Sequence, residues 1–222
     1  MPVSVIIPTL NEEEWIAGAV ESARGAGAAE VIVVDGGSTD RTPRLATAAG
    51  ARLMLSDRMR ARQLNRGAEA ASHPSLIFLH ADSRLPAGAA AAVEEALARG
   101  IVFGGFRLQF AEEDRRLRIA ERMINLRSAI TRAPWGDQAQ FIARDTLIGI
   151  GGFRDVPIME DYELAQRMKR AGPTRILPLT VTTSGRRFLQ KGVLRTAAIN
   201  WSIIWRYHRG RDLQELARLY RR

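Results

Sequence analysis

Four short runs of apolar, largely β-branched residues recur within the first eighty positions, each followed by a stretch of helical character. Residues 3–8 and 30–35 are apolar at nearly every position rather than at every second one, and residues 51–56 and 75–80 repeat the signal. A strand of that kind hides both of its faces, which requires helices above and below a parallel sheet. The intervening segments supply them. Asn11 stands where it would cap a first helix carrying Glu12, Glu13 and Glu14 in its opening turn, and Asp40 where it would cap a second running to Gly50. Residues 60–71 and 86–99 read as two more helices, the latter with proline near its start. The expected fold class is α/β: a Rossmann-like, mostly parallel central sheet flanked by helices.

Beyond Gly100 the alternation loosens. Residues 101–110 read as a longer strand, 114–131 as a helix, 138–144 as strand-like and 158–171 as a helix. Residues 187–208 form an amphipathic helix with Leu194, Ala197, Ala198, Trp201, Ile204 and Trp205 on one face, and Arg195, Ser202, Arg206 and Arg209 on the other. A second C-terminal amphipathic helix follows at 213–220. No repeat or Ser/Pro-rich linker divides the chain, so residues 1–222 read as a single domain.

The chain has no cysteine, which excludes thiolate catalysis, zinc ribbons, iron–sulfur clusters and disulfides. His73, His80 and His208 are too scattered for a His-rich metal site. The start lacks a signal-peptide pattern and no stretch approaches the length of a membrane span, so a cytoplasmic protein is expected. The net charge of +9 is uneven: from Arg167 to the end, fourteen basic residues face two acidic ones. That surplus predicts an anionic partner on the last quarter of the chain, or else a solvated basic face.

In an open parallel sheet, ligands bind beyond the carboxyl ends of the strands. Pro8-Thr9, Asp35-Gly36-Gly37-Ser38 and His80-Ala81-Asp82 stand at those ends. The Gly36-Gly37 pair permits a sharp turn, and Asp35 suits a ribose or base edge; the same segment also reads as a plain turn capped by Asp40. It is neither a dinucleotide fingerprint nor a Walker loop. His80 and Asp82, two apart at a strand end, suit a shared divalent metal; Asp82 also reads as a loop cap. Glu160-Asp161 opens a helix, either as a base for a hydroxyl or as acids favoured by the helix dipole. Gly136-Asp137-Gln138 and Gly151-Gly152-Phe153 would frame an acceptor pocket. Arg60, with Gln63 and Asn65 on the same helix, and the Arg186-Arg187 pair suit phosphate.

Taken together, these segments resemble the family-2 glycosyltransferases. Residues 3–13 are similar to that family's opening strand, residues 31–42 to its Val-Asp-Asp-Gly-Ser-Thr-Asp segment, Phe78-Leu-His-Ala-Asp82 to its Asp-x-Asp metal motif and Met159-Glu-Asp161 to its Glu-Asp motif. Residues 60–68, 136–138, 151–153 and 184–188 resemble a narrower subgroup of small stand-alone bacterial members.

The resemblance implies a GT-A fold and a nucleotide-diphosphate sugar donor, UDP- or GDP-linked. It implies an acceptor alcohol and a divalent metal, Mn²⁺ or Mg²⁺; the basic amphipathic C-terminal helix in turn suits a lipid-like acceptor. Asp161 would be the catalytic base of an inverting transfer, and Asp82 with His80 the metal ligands. Pro8, Thr9, Asn11, Glu12, Asp35, Gly37, Ser38, Arg60, Gln63, Asn65, Ala81, Arg186 and Arg187 would hold the nucleotide sugar. Gly136, Asp137, Gln138 and Glu160 would border the donor sugar and acceptor. Residues 1–100 become a nucleotide-sugar half, 101–185 an acceptor half and 186–222 a basic helical tail.

Three departures from the family pattern stand out. Gly36 replaces the second acid of the usual pair, Met59 a frequent glycine, and His80 the first metal-motif aspartate. Neutral imidazole suits Mn²⁺ better than Mg²⁺. The tryptophan face of the tail fits an anionic membrane surface on the inner leaflet, core packing, or a homodimer contact. The rivals to an enzyme are a catalytically silent sugar-nucleotide-binding protein and a peripheral-membrane binding module. Nucleic acid is not expected as a partner, since no recognised module accompanies the basic tail.

Overall fold

The computed structural model describes residues 1–221; Arg222, the last of the basic tail, lies outside them. Its strands are β1 (Val3–Thr9), β2 (Glu30–Asp35), β3 (Arg52–Leu55), β4 (Ser75–Phe78), β5 (Ser83–Arg84), β6 (Phe103–Phe110), β7 (Gln140–Ala143) and β8 (Thr174–Thr183), joined in one sheet of order β3-β2-β1-β4-β7-β6-β8-β5. The helices are α1 (Ile16–Gly25), α2 (Thr42–Ala48), α3 (Arg60–Ala70), α4 (Ala89–Ala98), α5 (Arg115–Thr131), α6 (Arg144–Gly149), α7 (Glu160–Ala171), α8 (Arg186–Lys191), α9 (Val193–His208) and α10 (Leu213–Arg221).

The apolar runs do hide both faces. Val3, Val5, Ile7, Val31 and Val33 pack on one side with residues of α1, α2 and α4. Ile6, Ile32 and Val34 pack on the other with Ala61, Leu64 and Ala68 of α3 and Leu164, Ala165 and Met168 of α7. Each such buried aliphatic side chain contributes about 1.5–3 kcal/mol, so these strands anchor the sheet. β3 is the exception: it lies at the sheet's edge and is only partly covered.

β1, β2, β3 and β4 run parallel, as expected, whereas β7 is antiparallel to both β4 and β6. β8 has no counterpart among the expected strands. Pro178 argues against a strand inside a sheet because it cannot donate to the ladder. The structure accommodates it in a bulge: Phe106 pairs with Leu177 and Arg107 with Thr180, which leaves Pro178 and Leu179 unpaired. The end of β8 then pairs with β5, and Ser83 Oγ donates to Thr183 Oγ1 at 2.8 Å. This pairing draws the segment after β8 alongside Asp82, where Ser184 N donates to Asp82 O at 3.2 Å.

The start of α1 differs from expectation. Asn11 does not cap α1, which begins at Ile16 after Trp15. Asn11 instead adopts a left-handed conformation (φ 54°), and its Oδ1 accepts from Thr39 N at 2.9 Å. Glu13 likewise accepts from Arg41 N at 3.0 Å rather than serving its own helix. The acids after β1 thus tie two loops together.

The long C-terminal helix is also broken, at Gly192 (φ 82°), a conformation that glycine adopts without strain. Core packing of the tryptophan face is overturned. Thr196 and Ile203 are the buried residues of α9, while Leu194 is 87% exposed, Trp201 61% and Trp205 54%.

Candidate active site

A cleft of about 430 Å³ opens at the carboxyl end of β4 and extends between α5 and α9. One half is polar, lined by Arg60, His80, Asp82, Asp137, Glu160, Asp161, Arg186 and Arg187. The other half is apolar, with Phe110, Ile124, Trp201 and Ile204 among its walls.

Asp161 lies in the first turn of α7, preceded by Met159 in a left-handed conformation (φ 71°). Its Oδ2 accepts from the backbone N–H of Gly136 at 2.6 Å, and its Oδ1 from Tyr162 N at 2.7 Å. Gln140 of β7 holds the same turn by donating Nε2 to Asp161 O at 3.0 Å and to Pro134 O at 2.9 Å. Glu160 is 5% exposed and faces Arg60, with Nη1 to Oε1 at 3.5 Å. Burial raises its pKa, and the Arg60 cation opposes that rise.

Across the cleft, Arg186 Nη2 lies 3.3 Å from Asp82 Oδ2 and donates to both carboxylate oxygens of Glu12 at 3.1 Å. One guanidinium thus bridges the loops after β1 and β4. Burial raises the pKa of Asp82 and of Glu12 against the pull of Arg186. The turn carrying Arg186 is set by Glu112, which accepts from Ser184 Oγ at 3.0 Å and Gly185 N at 2.7 Å. Arg187 stacks on the Tyr220 ring 3.4 Å from its centroid and donates to Tyr220 O at 3.1 Å.

His80 is neutral: burial, with Arg60 nearby, lowers its pKa to about 3. Burial raises Asp137 to about 6, with Arg127 opposing, and Asp137 Oδ1 has no partner among the described residues.

No group of three or more His, Asp or Glu side chains forms a metal cage among the described residues. Asp82 with neutral His80 fits a different arrangement, in which a hard divalent ion takes one or two protein donors and completes its shell with substrate phosphates and water.

Several of the expected contact residues lie outside the cleft lining and are hydrogen-bonded within the protein. Asp35 is 1% exposed and lies outside the cleft lining. It accepts from Thr9 Oγ1 at 3.2 Å, Gly37 N at 3.0 Å and Ser38 N at 2.8 Å, so it organises its own turn. Gln63 donates to Thr9 O and Val34 O, both at 2.8 Å. Asn65 exchanges two 2.8 Å bonds with the Phe153 backbone, fixing the Gly151–Gly152 loop to α3. Gln138 is fully buried: Oε1 accepts from Arg127, Ser128 and Trp135, and Nε2 donates to Phe106 O at 3.0 Å. Pro8, Thr9, Asn11, Gly37, Ser38 and Ala81 also stand outside the cleft lining, Ala81 within the core.

Arg127, stacked 3.5 Å from the Trp135 ring centroid, and Tyr220 line the cleft without having been anticipated. Arg127 is one of five arginines on α5, and nothing local distinguishes it.

Residues 4–154 match the family model described as Glycosyl transferase family 2. Over 53 residues the chain is 47% identical to glycosyltransferase AglJ of Haloferax volcanii, a stretch amounting to 24% of this chain and 18% of that protein. The fold is similar to that of mannosyltransferase PcManGT from Pyrobaculum calidifontis, solved with GDP-Man and Mn²⁺. Their TM-score is 0.64 at 23% identity, covering 82% of this chain and 56% of that one. Glucosyl-3-phosphoglycerate synthase from Mycobacterium tuberculosis, solved with Mn²⁺, UDP and glucosyl-3-phosphoglycerate, gives a TM-score of 0.59 at 22% identity, covering 82% of this chain and 70% of that one. The chain therefore matches under a fifth of its curated relative and about half of the Pyrobaculum structure. These likenesses establish the α/β architecture as GT-A type. The family model runs from β1 to just past the loop that Asn65 secures, more than half of the chain, and the protein belongs to glycosyl transferase family 2.

Proposed function

We propose that this protein transfers a sugar, with inversion at the anomeric carbon, from a UDP- or GDP-linked donor to an acceptor hydroxyl, with Asp161 as general base. The observation that carries the reading is that Asp161 and Asp82, remote in sequence, line one cleft together with Arg60, Arg186 and Arg187. The Gly136 and Tyr162 N–H groups aim the Asp161 carboxylate, and each oxygen keeps a lone pair for an incoming hydroxyl. An acceptor within hydrogen-bond reach gives up its proton there as its oxygen attacks. Arg60, Arg186 and Arg187 line the same cleft, and their charge would offset that developing on the departing nucleoside diphosphate. Asp82 and His80 would hold a divalent metal, which when bound neutralises part of that charge. The donors and Mn²⁺ named for the two solved relatives support both choices.

A panel of UDP- and GDP-sugars, scored by nucleoside diphosphate release, tests the reading. Asp161→Asn keeps the shape but removes the base, so turnover falls by about 10²–10⁴-fold while donor affinity holds. Unchanged turnover in that variant refutes the role of Asp161.

A further inference from the structure

The apolar half of the cleft does not end inside the protein. Met123 of α5 and Trp201 of α9 line it and are also more than half exposed, so the lobe opens on the outer face of these two helices. On that face Ile119, Met123, Leu126 and Ile130 follow one another at helical spacing, every one more than half exposed. Leu194, Trp201 and Trp205 form a second exposed row along α9. A soluble surface rarely presents so continuous an apolar patch without a use for it.

The exposed charges on α5 and α9 themselves have one sign. Arg115 and Arg122 flank the α5 row, and Arg195 and Arg209 flank that of α9, Arg209 stacked 3.6 Å from the Trp205 ring centroid. The one acid within α5, Glu121, is buried and paired with Arg118, and α9 contains none. A second copy docking through this face would set arginine against arginine across a two-fold axis. An anionic bilayer complements both features, since apolar side chains enter the acyl boundary and arginines meet the headgroups.

We propose that the α5–α9 face docks on an anionic lipid bilayer, and that the acceptor is an amphiphilic alcohol drawn from it. Its hydroxyl reaches Asp161 while its apolar body fills the lobe beside Phe110, Ile124 and Ile204. The docking stands on its own; the identity of the acceptor rests on the proposed transfer reaction.

Flotation with vesicles of phosphatidylcholine, alone or with about a third phosphatidylglycerol, tests the docking. The full chain co-floats with the anionic vesicles only, and Leu126→Glu with Ile130→Glu, both outside the cleft, lowers the partition coefficient by about tenfold or more. The same double variant keeps its UDP affinity, which shows that it remains folded. Absence of co-flotation, or a dimer in the ultracentrifuge that the double variant dissociates, overturns the docking. 1-Decanol, as an amphiphilic probe, shifts tryptophan fluorescence saturably in the wild type and not in Trp201→Phe, whereas glycerol shifts neither. A shift that does not saturate overturns the acceptor class. Neither readout uses turnover, so failure of the Asp161 experiment is separately visible.

Discussion

The backbone N–H of Gly136 donates to Asp161 Oδ2 at 2.6 Å, joining the turn before β7 to the first turn of α7. Gly136 is wedged between two functional groups: a Cβ there would lie 2.7 Å from His80 Nε2 and 3.0 Å from Asp161 Oδ2. Only a residue without a side chain lets the amide approach the carboxylate this closely.

Gly136→Ala therefore displaces Asp161 without breaking a helix or strand. Turnover should fall by about 10²-fold, the effect of roughly an ångström of misplacement, while donor KM changes little. Steady-state kinetics beside a thermal melt check it. A Tm loss large enough to explain the lost activity would instead make Gly136 a folding residue.

The strands that carry the site were readable because they are buried on both faces and therefore apolar throughout; β1, β2 and β4 needed no tertiary information. The acids at strand and helix ends divided: Asp82 and Asp161 line the cleft, whereas Asp35, at the end of an equally buried strand, is engaged by its own turn. What each polar residue does was not readable. Gln63, Asn65 and Gln138 look like ligand-binding amides, but their partners are backbone groups brought near by folding: Val34 O for Gln63, Phe153 for Asn65 and Phe106 O for Gln138. Pro178 concealed β8, and without β8 there was no means of seeing that Arg186 meets Asp82.

Gln138→Ala should behave as a stability variant. It removes four hydrogen bonds and takes from the Trp135 N–H and the Phe106 carbonyl their Gln138 partner, while Ser128 Oγ keeps Ile124 O and Arg127 Nη2. The cost is about 3 kcal/mol, since each buried polar group left without a partner costs about 1–3 kcal/mol. Urea unfolding measures it, and a loss of sugar transfer with unchanged stability would restore Gln138 to the substrate.

Asp137 gives a pH signature. Burial raises its pKa from 3.8 to about 6 against the attraction of Arg127, so the folded state holds its proton more tightly than the unfolded chain does. The folded protein therefore binds the extra proton between those two values, and this group's contribution to stability declines as pH rises through that window. His80 acts oppositely: burial lowers it to about 3, so it destabilises the fold as pH drops below its ordinary value. Asp137→Asn should raise the Tm at pH 8 relative to wild type, with the difference shrinking as pH falls through about 6. Melts from acid to alkaline buffer test this, and a gap that is constant across the range would remove Asp137 as its source.

Arg186 and a metal ion compete for the same carboxylate. The guanidinium occupies Asp82 Oδ2 at 3.3 Å and both oxygens of Glu12 at 3.1 Å, so a cation reaching Asp82 meets an existing positive partner. Removing that partner has two consequences of opposite sign. Arg186→Gln leaves Asp82 and Glu12 facing one another with less positive charge between them, which favours a divalent ion; Mn²⁺ alone should bind more tightly, by about tenfold if one charge-assisted contact of about 1.5 kcal/mol is released. The same variant loses a fork that matches phosphate oxygens, so UDP with saturating Mn²⁺ should bind more weakly by a similar factor. Asp82→Ala separates the two effects, since it removes the carboxylate on which the competition depends. Mn²⁺ should then leave UDP affinity unchanged whether or not Arg186 is present. Calorimetry on the two single variants and the double variant measures all of these. If Arg186→Gln weakens Mn²⁺ and UDP together, the arginine assists the metal rather than competing with it, and the carboxylate they share is not where the ion sits.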